Sequence, residues 1–295
     1  MGGEARPARR GRRGKGRADM VQRLEVVEVA STPPVWAALR NEAEHVAREE
    51  PALASLVNAV IIRHTDLGRA MSYQLARKLS DQELRAMSLR ETCEEAYAAD
   101  PGIMAAAEAD LRAVFERDPA CRGYLQPFLF FKGFLAIQTH RVAHWLWVQG
   151  RQAMALYLQS RASELFQVDV HPAVPIGKGA FFDHGTGIVI GETAVIGEDV
   201  SMLQGVTLGG TSAERVDRHP KIGRGVLIGA GAKVIGNIAV GDYAKVAAGA
   251  VVLQPVPPGC TAVGVPARLV NCPTCGEPSK SMDQSLPDEA YDYAI

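Results

Sequence analysis

Ile190-Gly-Glu-Thr-Ala-Val195, Ile196-Gly-Glu-Asp-Val-Ser201 and Met202-Leu-Gln-Gly-Val-Thr207 are consecutive hexads, each led by a large apolar residue. Ile176-Gly-Lys-Gly-Ala-Phe181 precedes them, and Ile222-Gly-Arg-Gly-Val-Leu227, Ile228-Gly-Ala-Gly-Ala-Lys233, Val234-Ile-Gly-Asn-Ile-Ala239, Val240-Gly-Asp-Tyr-Ala-Lys245 and Val246-Ala-Ala-Gly-Ala-Val251 follow. A period of roughly six residues is that of a β-helix, each block supplying one short strand and one corner. The leading residue faces the narrow core. The fifth position also faces inward and is small or β-branched: Ala180, Ala194, Val200, Val206, Val226, Ala232, Ile238, Ala244 and Ala250. Three strands complete a triangular coil, and stacked coils bury one apolar column. Glycine density and β-branched bias exclude a helix here. The period alone leaves the hand of the coil open.

The chain has 295 residues, room for two domains. Hydrophobic content of 47%, charged content of 22% and a net charge of -1 are ordinary for a globular protein and point to neither nucleic acid nor membrane. No uncharged apolar run is long enough to span a bilayer. The 5 cysteines form no disulfide framework, which fits a reducing, cytoplasmic setting. Most glycine falls after Gly177, so the two halves are unlike.

Residues 1–33 are expected to be a disordered basic extension, with Arg9, Arg10, Arg12, Arg13, Lys15 and Arg17 and almost no apolar anchor. From 34 to 166 the apolar spacing is helical, as in Val35, Trp36, Leu39, Ala43 and Val46. Asp66, Ser80 and Asp100-Pro101 are candidate helix starts or breaks, and Asp118-Pro119 marks another boundary. Residues 167–270 are the β-helix. The repeat breaks at Phe182-Asp-His-Gly-Thr-Gly-Ile-Val189 and again at an excursion from Gly209 to Pro220. Insertions in solenoids fall on one face, often the binding face. Residues 271–295 are polar and expected to be a flexible tail. The expected class is α+β: an all-α domain, then a parallel β-helix.

The breaks and the opening segment hold Asp169, Asp183, His184, Arg218 and His219, where a coil wall calls for small or apolar residues. Imidazole titrates near ~6.5 and can accept a proton at neutral pH. A carboxylate on its other nitrogen would fix the tautomer and stabilise the imidazolium. His184 is therefore a candidate general base; the plainer reading is that it satisfies a corner.

Gln167-Val-Asp-Val-His-Pro172, Asp183-His-Gly-Thr-Gly187, Gly191-Glu-Thr-Ala-Val195, Val206-Thr-Leu-Gly-Gly-Thr211 and Arg218-His-Pro-Lys221 resemble the serine O-acetyltransferase family. Glu94-Glu-Ala-Tyr-Ala-Ala-Asp-Pro101, His144-Trp-Leu-Trp147 and Gly264-Val-Pro-Ala-Arg268 extend the similarity, which runs from about Trp36 to Leu269. The resemblance implies a left-handed β-helix. It implies acetyl transfer from acetyl-CoA, a co-substrate, to the hydroxyl of L-serine in cysteine biosynthesis, without a metal or an acyl-enzyme. His184 matches the general base and Asp169 the residue that orients it. Asp118 and Asp183 match positions that hold the serine ammonium, Arg218 one that binds the carboxylate, and His219 a further substrate contact. Read alone, Asp118 before Pro119 is a helix cap. Gly210, Ala230 and Ala248 match the coenzyme A groove, with Lys245 and Arg268 as candidates for its phosphates or as solvated charge. The resemblance also implies a homotrimer or dimer of trimers, L-cysteine as feedback inhibitor, and O-acetylserine sulfhydrylase bound through Ile295 at the end of the acidic tail.

His140 and His144 at i, i+4 have helical metal-ligand spacing, but no acidic or third histidine partner is evident, and a packed or hydrogen-bonded role is expected. Cys272-Pro-Thr-Cys275 is half a zinc knuckle without a second half. The competing readings are another hexapeptide-repeat acyltransferase with a different acceptor, a zinc β-helix lyase, and a non-catalytic partner of the sulfhydrylase.

Overall fold

A computed structural model of the chain describes residues 1–3, 34–272 and 276–286. The basic extension, Cys275, Ile295 and the acidic tail residues Asp288, Glu289 and Asp292 lie outside the described residues. The described residues from Pro34 onward form one compact body.

Among the described residues, eight helices come first: α1 (Val35–Glu49), α2 (Pro51–Val57), which runs into a π-helical turn at Asn58–Ile62, α3 (Leu67–Leu79), α4 (Ala86–Ala99), α5 (Gly102–Arg117), α6 (Leu125–Leu129), α7 (Lys132–Val148) and α8 (Gln152–Phe166). Local chemistry sets several ends. Asp66 accepts the Arg69 N–H at 2.9 Å, capping α3. Asp118-Pro119 stops α5. Helix α7 is buried nearly all round, so its place is fixed by packing rather than by an amphipathic stripe.

The coil then folds as three parallel faces. The first carries β1 (Val168–Val170), β3 (Ile188–Ile190), β6 (Thr207–Gly209), β9 (Lys233–Ile235) and β12 (Val251–Val252). The second carries β4 (Val195–Ile196), β7 (Lys221–Ile222) and β10 (Ala239–Val240). The third carries β2 (Phe181–Phe182), β5 (Ser201–Met202), β8 (Leu227–Ile228), β11 (Lys245–Val246) and β13 (Thr261–Val263), closed by antiparallel β14 (Arg268–Val270). Successive coils stack in register, for example Ile190 on Leu208 and Met202 on Ile228. The hexad leaders from Ile190 to Val246 are buried, as are all the fifth-position residues except Ile238, which is partly exposed. Helical and coil residues share one core cluster, so the helices are seated on the coil.

A buried ion pair joins the halves. Asp110 on α5 accepts Arg141 Nε and Nη2 at 2.8 and 2.9 Å, Gln138 Nε2 at 2.8 Å and the Ala180 N–H at 2.9 Å. Arg141 also donates to the carbonyls of Ile176 and Gly177. His140 Nε2 and His144 Nδ1 meet the carbonyls of Val174 and Pro172, each at 2.8 Å, so both histidines pin α7 to the coil. Burial lowers the His140 pKa to about 3, keeping it neutral.

Two findings depart from the sequence reading. Cys260 and Cys272 form a disulfide that the cysteine spacing did not disclose. Within the tail expected to be flexible, α9 (Pro278–Ser281) packs back on the coil: Ser279 is fully buried and its carbonyl accepts Ser201 Oγ–H at 2.9 Å. Among the described residues no helix is long and apolar enough to cross a membrane.

Candidate active site

Most of the residues singled out from the sequence gather on two edges of the triangular coil, while Asp169, Lys245 and Arg268 stand on its strands. The first edge is the corner between the third and first faces. Here Asp183-His-Gly-Thr-Gly187 turns with His184, Gly185 and Gly187 at φ of 56, 73 and 75°. Glycine takes this left-handed conformation freely; histidine does not. The strained turn carries the His184 side chain outward, 73% exposed, with Nε2 3.9 Å from Asp183 Oδ1. Asp118, Asp183 and His184 together line a cavity of about 500 Å³, walled by Val114, Phe131 and Phe182. Burial pushes the Asp183 carboxyl above its ordinary range; His184 opposes the shift and Asp118 adds to it. Asp118 also serves its own turn, accepting the Ala120 N–H at 2.8 Å. Asp118 therefore ends α5 and lines the cavity at once.

Two α7 residues support this edge and were not singled out from sequence. Gly133 abuts the carbonyl of Phe182; a Cβ there would lie 1.9 Å from that oxygen. Lys132 Nζ donates to Thr186 Oγ1 in the turn.

Below His184 the edge is made of small residues. Gly205, Gly231 and Gly249 repeat the left-handed corner at φ of 72, 69 and 70°. Their N–H groups donate to Thr186, Gln204 and Ala230, each at 2.8 Å. A Cβ on Gly231 or Gly249 would meet nothing within 4 Å, so the lower edge is open. Ala230 and Ala248 lie on it. Lys245 is on β11 of the flanking third face, where Nζ donates to the Ser285 carbonyl at 2.5 Å. Arg268, on β14, is exposed and engaged in an interaction of its own.

The second edge is the corner between the first and second faces. Thr193 organises it. Its Oγ1 accepts the N–H groups of Arg218 and His219 at 3.0 and 3.1 Å, and its own N–H donates to His219 Nδ1 at 3.2 Å. Because Nδ1 accepts, the neutral imidazole carries its proton on Nε2. Burial lowers the His219 pKa and the Arg218 charge adds to this, so the ring is a neutral Nε2–H donor. Arg218 Nη2 donates to Glu192 Oε2 at 3.1 Å. Gly210 lies against both: a Cβ on it would be 2.9 Å from Arg218 Cγ and 3.1 Å from His219 Nε2. Gly210 is thus on a different edge from Ala230 and Ala248. The Gly191-Glu-Thr motif was visible in the sequence, but the roles of Glu192 and Thr193 depend on a loop that returns from residue 218.

Asp169 stands on β1, in the first face. Its Oδ1 accepts Gln159 Nε2 at 2.7 Å, and its charge acts on His171. The His184 ring does not donate to Asp169 within one chain. Among the described residues no group of three or more His, Cys, Asp or Glu is placed to hold a metal ion.

Residues 35–139 match the family described as "Serine acetyltransferase, N-terminal", and residues 219–254 match "Bacterial transferase hexapeptide (six repeats)". The serine acetyltransferase of Escherichia coli (strain K12) is 56% identical over 250 residues, covering 85% of this chain and 92% of the relative. A solved serine acetyltransferase in complex with cysteine superposes with a TM-score of 0.84 at 53% identity, covering 86% of this chain and 98% of that one. A second, in complex with CoA, gives a TM-score of 0.77 at 55% identity, covering 80% and 98%. The chain belongs to the serine acetyltransferase family, and its coil is the left-handed β-helix of the hexapeptide-repeat fold.

Proposed function

We propose that this chain transfers the acetyl group of acetyl-CoA to the hydroxyl of L-serine, with His184 as general base. The observation that carries this reading is the placement of His184: outward-facing, on the rim of the cavity shared with Asp118 and Asp183, at the head of the small-residue edge. A hydroxyl is a poor nucleophile until a base takes its proton. The serine oxygen forms a bond to the thioester carbonyl carbon, the carbon–sulfur bond breaks, and the thiolate leaves with the proton that His184 received. The ammonium group fits between Asp118 and Asp183. Its positive charge offsets the cost of burying Asp183. The carboxylate suits the planar fork of Arg218, which then shares its charge with Glu192. His219 Nε2–H donates to the same substrate. The coenzyme arm suits the glycine-lined edge, where no side chain blocks the backbone groups.

Arg218 and His219 belong to a different edge from His184, so a complete site needs two copies. Each copy offers one half-site on each of two edges of a triangular prism. Head-to-tail pairing of such edges closes into a ring of three. In that arrangement Asp169 reaches His184 of the next copy and fixes its tautomer. The helical half is then free to join two trimers. Cysteine carries the same zwitterion as serine with a thiol in place of the hydroxyl, so it competes for the site as a feedback inhibitor. A partner sulfhydrylase docking on Ile295, and a cytoplasmic location beside the coenzyme A pool, complete the reading.

The test is thiol release from acetyl-CoA by the purified chain with L-serine, L-threonine, L-homoserine and amino sugars as acceptors, with and without L-cysteine. Release that depends on serine and is suppressed by cysteine is expected. Release with a sugar, or none with serine, overturns the proposal.

A further inference from the structure

Arg117 is the last residue of α5 and Asp118 is its cap. Asp118 lines the cavity, whereas Arg117 runs into the third face of the coil with only 3% of its side chain exposed. Nη1 donates to the Gly179 carbonyl at 2.9 Å and to Ser201 Oγ at 3.1 Å, and Nη2 donates to Asp199 Oδ1 at 3.0 Å. These acceptors are not arbitrary. Ser201 is the cross-strand partner of Phe181, and the next residue, Met202, accepts the Asp183 N–H at 2.8 Å. The guanidinium thus grips the strand on which Asp183 hangs, while its own backbone leads directly to Asp118. The path between the two carboxylates of the cavity runs one residue along the backbone to Asp118 and, on the other side, through Ser201, Met202 and its hydrogen bond to Asp183. A buried cation held in a fork of fixed geometry resists displacement more than a single flexible contact.

We propose that Arg117 is a positioning residue: it fixes the spacing of Asp118 and Asp183 and thereby the fit of an amino-acid ammonium group between them. This rests on the serine reading above. Arg117 touches no reactant; it acts through Asp118 and Asp183.

The full-length chain, Arg117→Ala, Arg117→Lys, Asp118→Asn and the double variant Arg117→Ala/Asp118→Asn are compared for kcat and for the KM of each substrate. Arg117→Ala raises the serine KM at least about 10-fold and leaves the acetyl-CoA KM within about twofold, the signature of lost binding to one substrate. Arg117→Lys recovers part of the loss. In the Asp118→Asn background, removing Arg117 adds less than about twofold to the serine KM, because the two act as one unit. Should Arg117→Ala fail to fold, Ser201→Ala gives the same split at smaller size, at least about threefold on the serine KM. Both KM values moving together, or additive effects in the double variant, overturn the inference and leave a plain structural ion pair. Wild-type chain without serine-dependent turnover overturns the serine reading, and this inference with it.

Discussion

Gly191 lies beneath the imidazole of His219: a Cβ on Gly191 would fall 1.9 Å from Nε2. Its φ is not left-handed, so glycine is required here by space and not by the backbone. His219 cannot retreat easily, since Thr193 holds its Nδ1 from the other side. Gly191→Ala therefore pushes the Nε2–H donor off its line. The expected outcome is a folded enzyme with kcat/KM for serine reduced at least about 10-fold, or about 1.4 kcal/mol. Steady-state kinetics with a thermal melt as control check it; an unchanged kcat/KM shows that His219 does not touch the substrate.

Under the proposed mechanism, His184 sets stability against activity. A non-glycine residue at φ 56° costs roughly 1–2 kcal/mol that glycine does not incur. The side chain is largely exposed and loses little packing when removed. His184→Gly should melt at or above the wild-type temperature while turnover falls at least about 100-fold. Calorimetry and kinetics on the same preparation decide; a stable variant with ordinary turnover removes His184 from the mechanism.

The coil was legible because its period imposes burial. Ile190, Ile196, Met202, Ile222 and Ile228 recur at the spacing that points each into the column, and each is buried. Ile238 departs because Gly236, at φ 105°, bends the chain just before it. Polar residues in the coil wall flagged His184, Asp183 and Asp169. What stayed hidden depends on elements far apart in sequence. Gly133 and Lys132 reach the turn at 182–186 from α7, Gln159 reaches Asp169 from α8, and Glu192 waits for Arg218. The Cys260–Cys272 pair is formed by the β13–β14 hairpin, whose antiparallel return the hexad pattern does not contain. Ser279 is polar and carries no burial signal, yet it is enclosed against the coil, where its carbonyl accepts Ser201 Oγ–H.

Asp183 lowers the stability of the free enzyme as pH rises through its folded pKa. Its folded pKa is raised by burial above the ordinary 3.8, so over that window the folded chain holds a proton that the unfolded chain has lost. Stability falls with pH wherever the folded state binds more protons, so this contribution is present below pH 3.8 and is lost as pH rises through the folded pKa. Asp183→Asn removes the buried charge. It should raise the melting temperature at pH 7–8 and weaken serine binding, and serine should protect the wild type more than the variant. Melts with and without serine across pH 4–8 check this; a variant that melts lower at pH 8 refutes the assigned burial cost.

Gly133 offers the sharpest contrast between helix propensity and packing. Alanine is favoured over glycine in a helix interior by about 1 kcal/mol, an upper bound for Gly68 and Gly133, each the second residue of its helix. Gly68 in α3 would meet only ordinary contacts, the nearest at 3.4 Å, so Gly68→Ala should be neutral or stabilising. At Gly133 the new methyl would lie 1.9 Å from the Phe182 carbonyl oxygen, a backbone atom fixed one residue before Asp183. The helix must then lift off the coil. Gly133→Ala should lower stability by about 1–3 kcal/mol despite the propensity gain. Because the displaced carbonyl leads straight into the turn bearing His184, kcat should fall as well, by at least about 10-fold. Denaturant unfolding and kinetics on the two variants side by side test both parts. A Gly133→Ala enzyme as stable and as active as Gly68→Ala would mean that α7 does not set the position of the turn bearing His184.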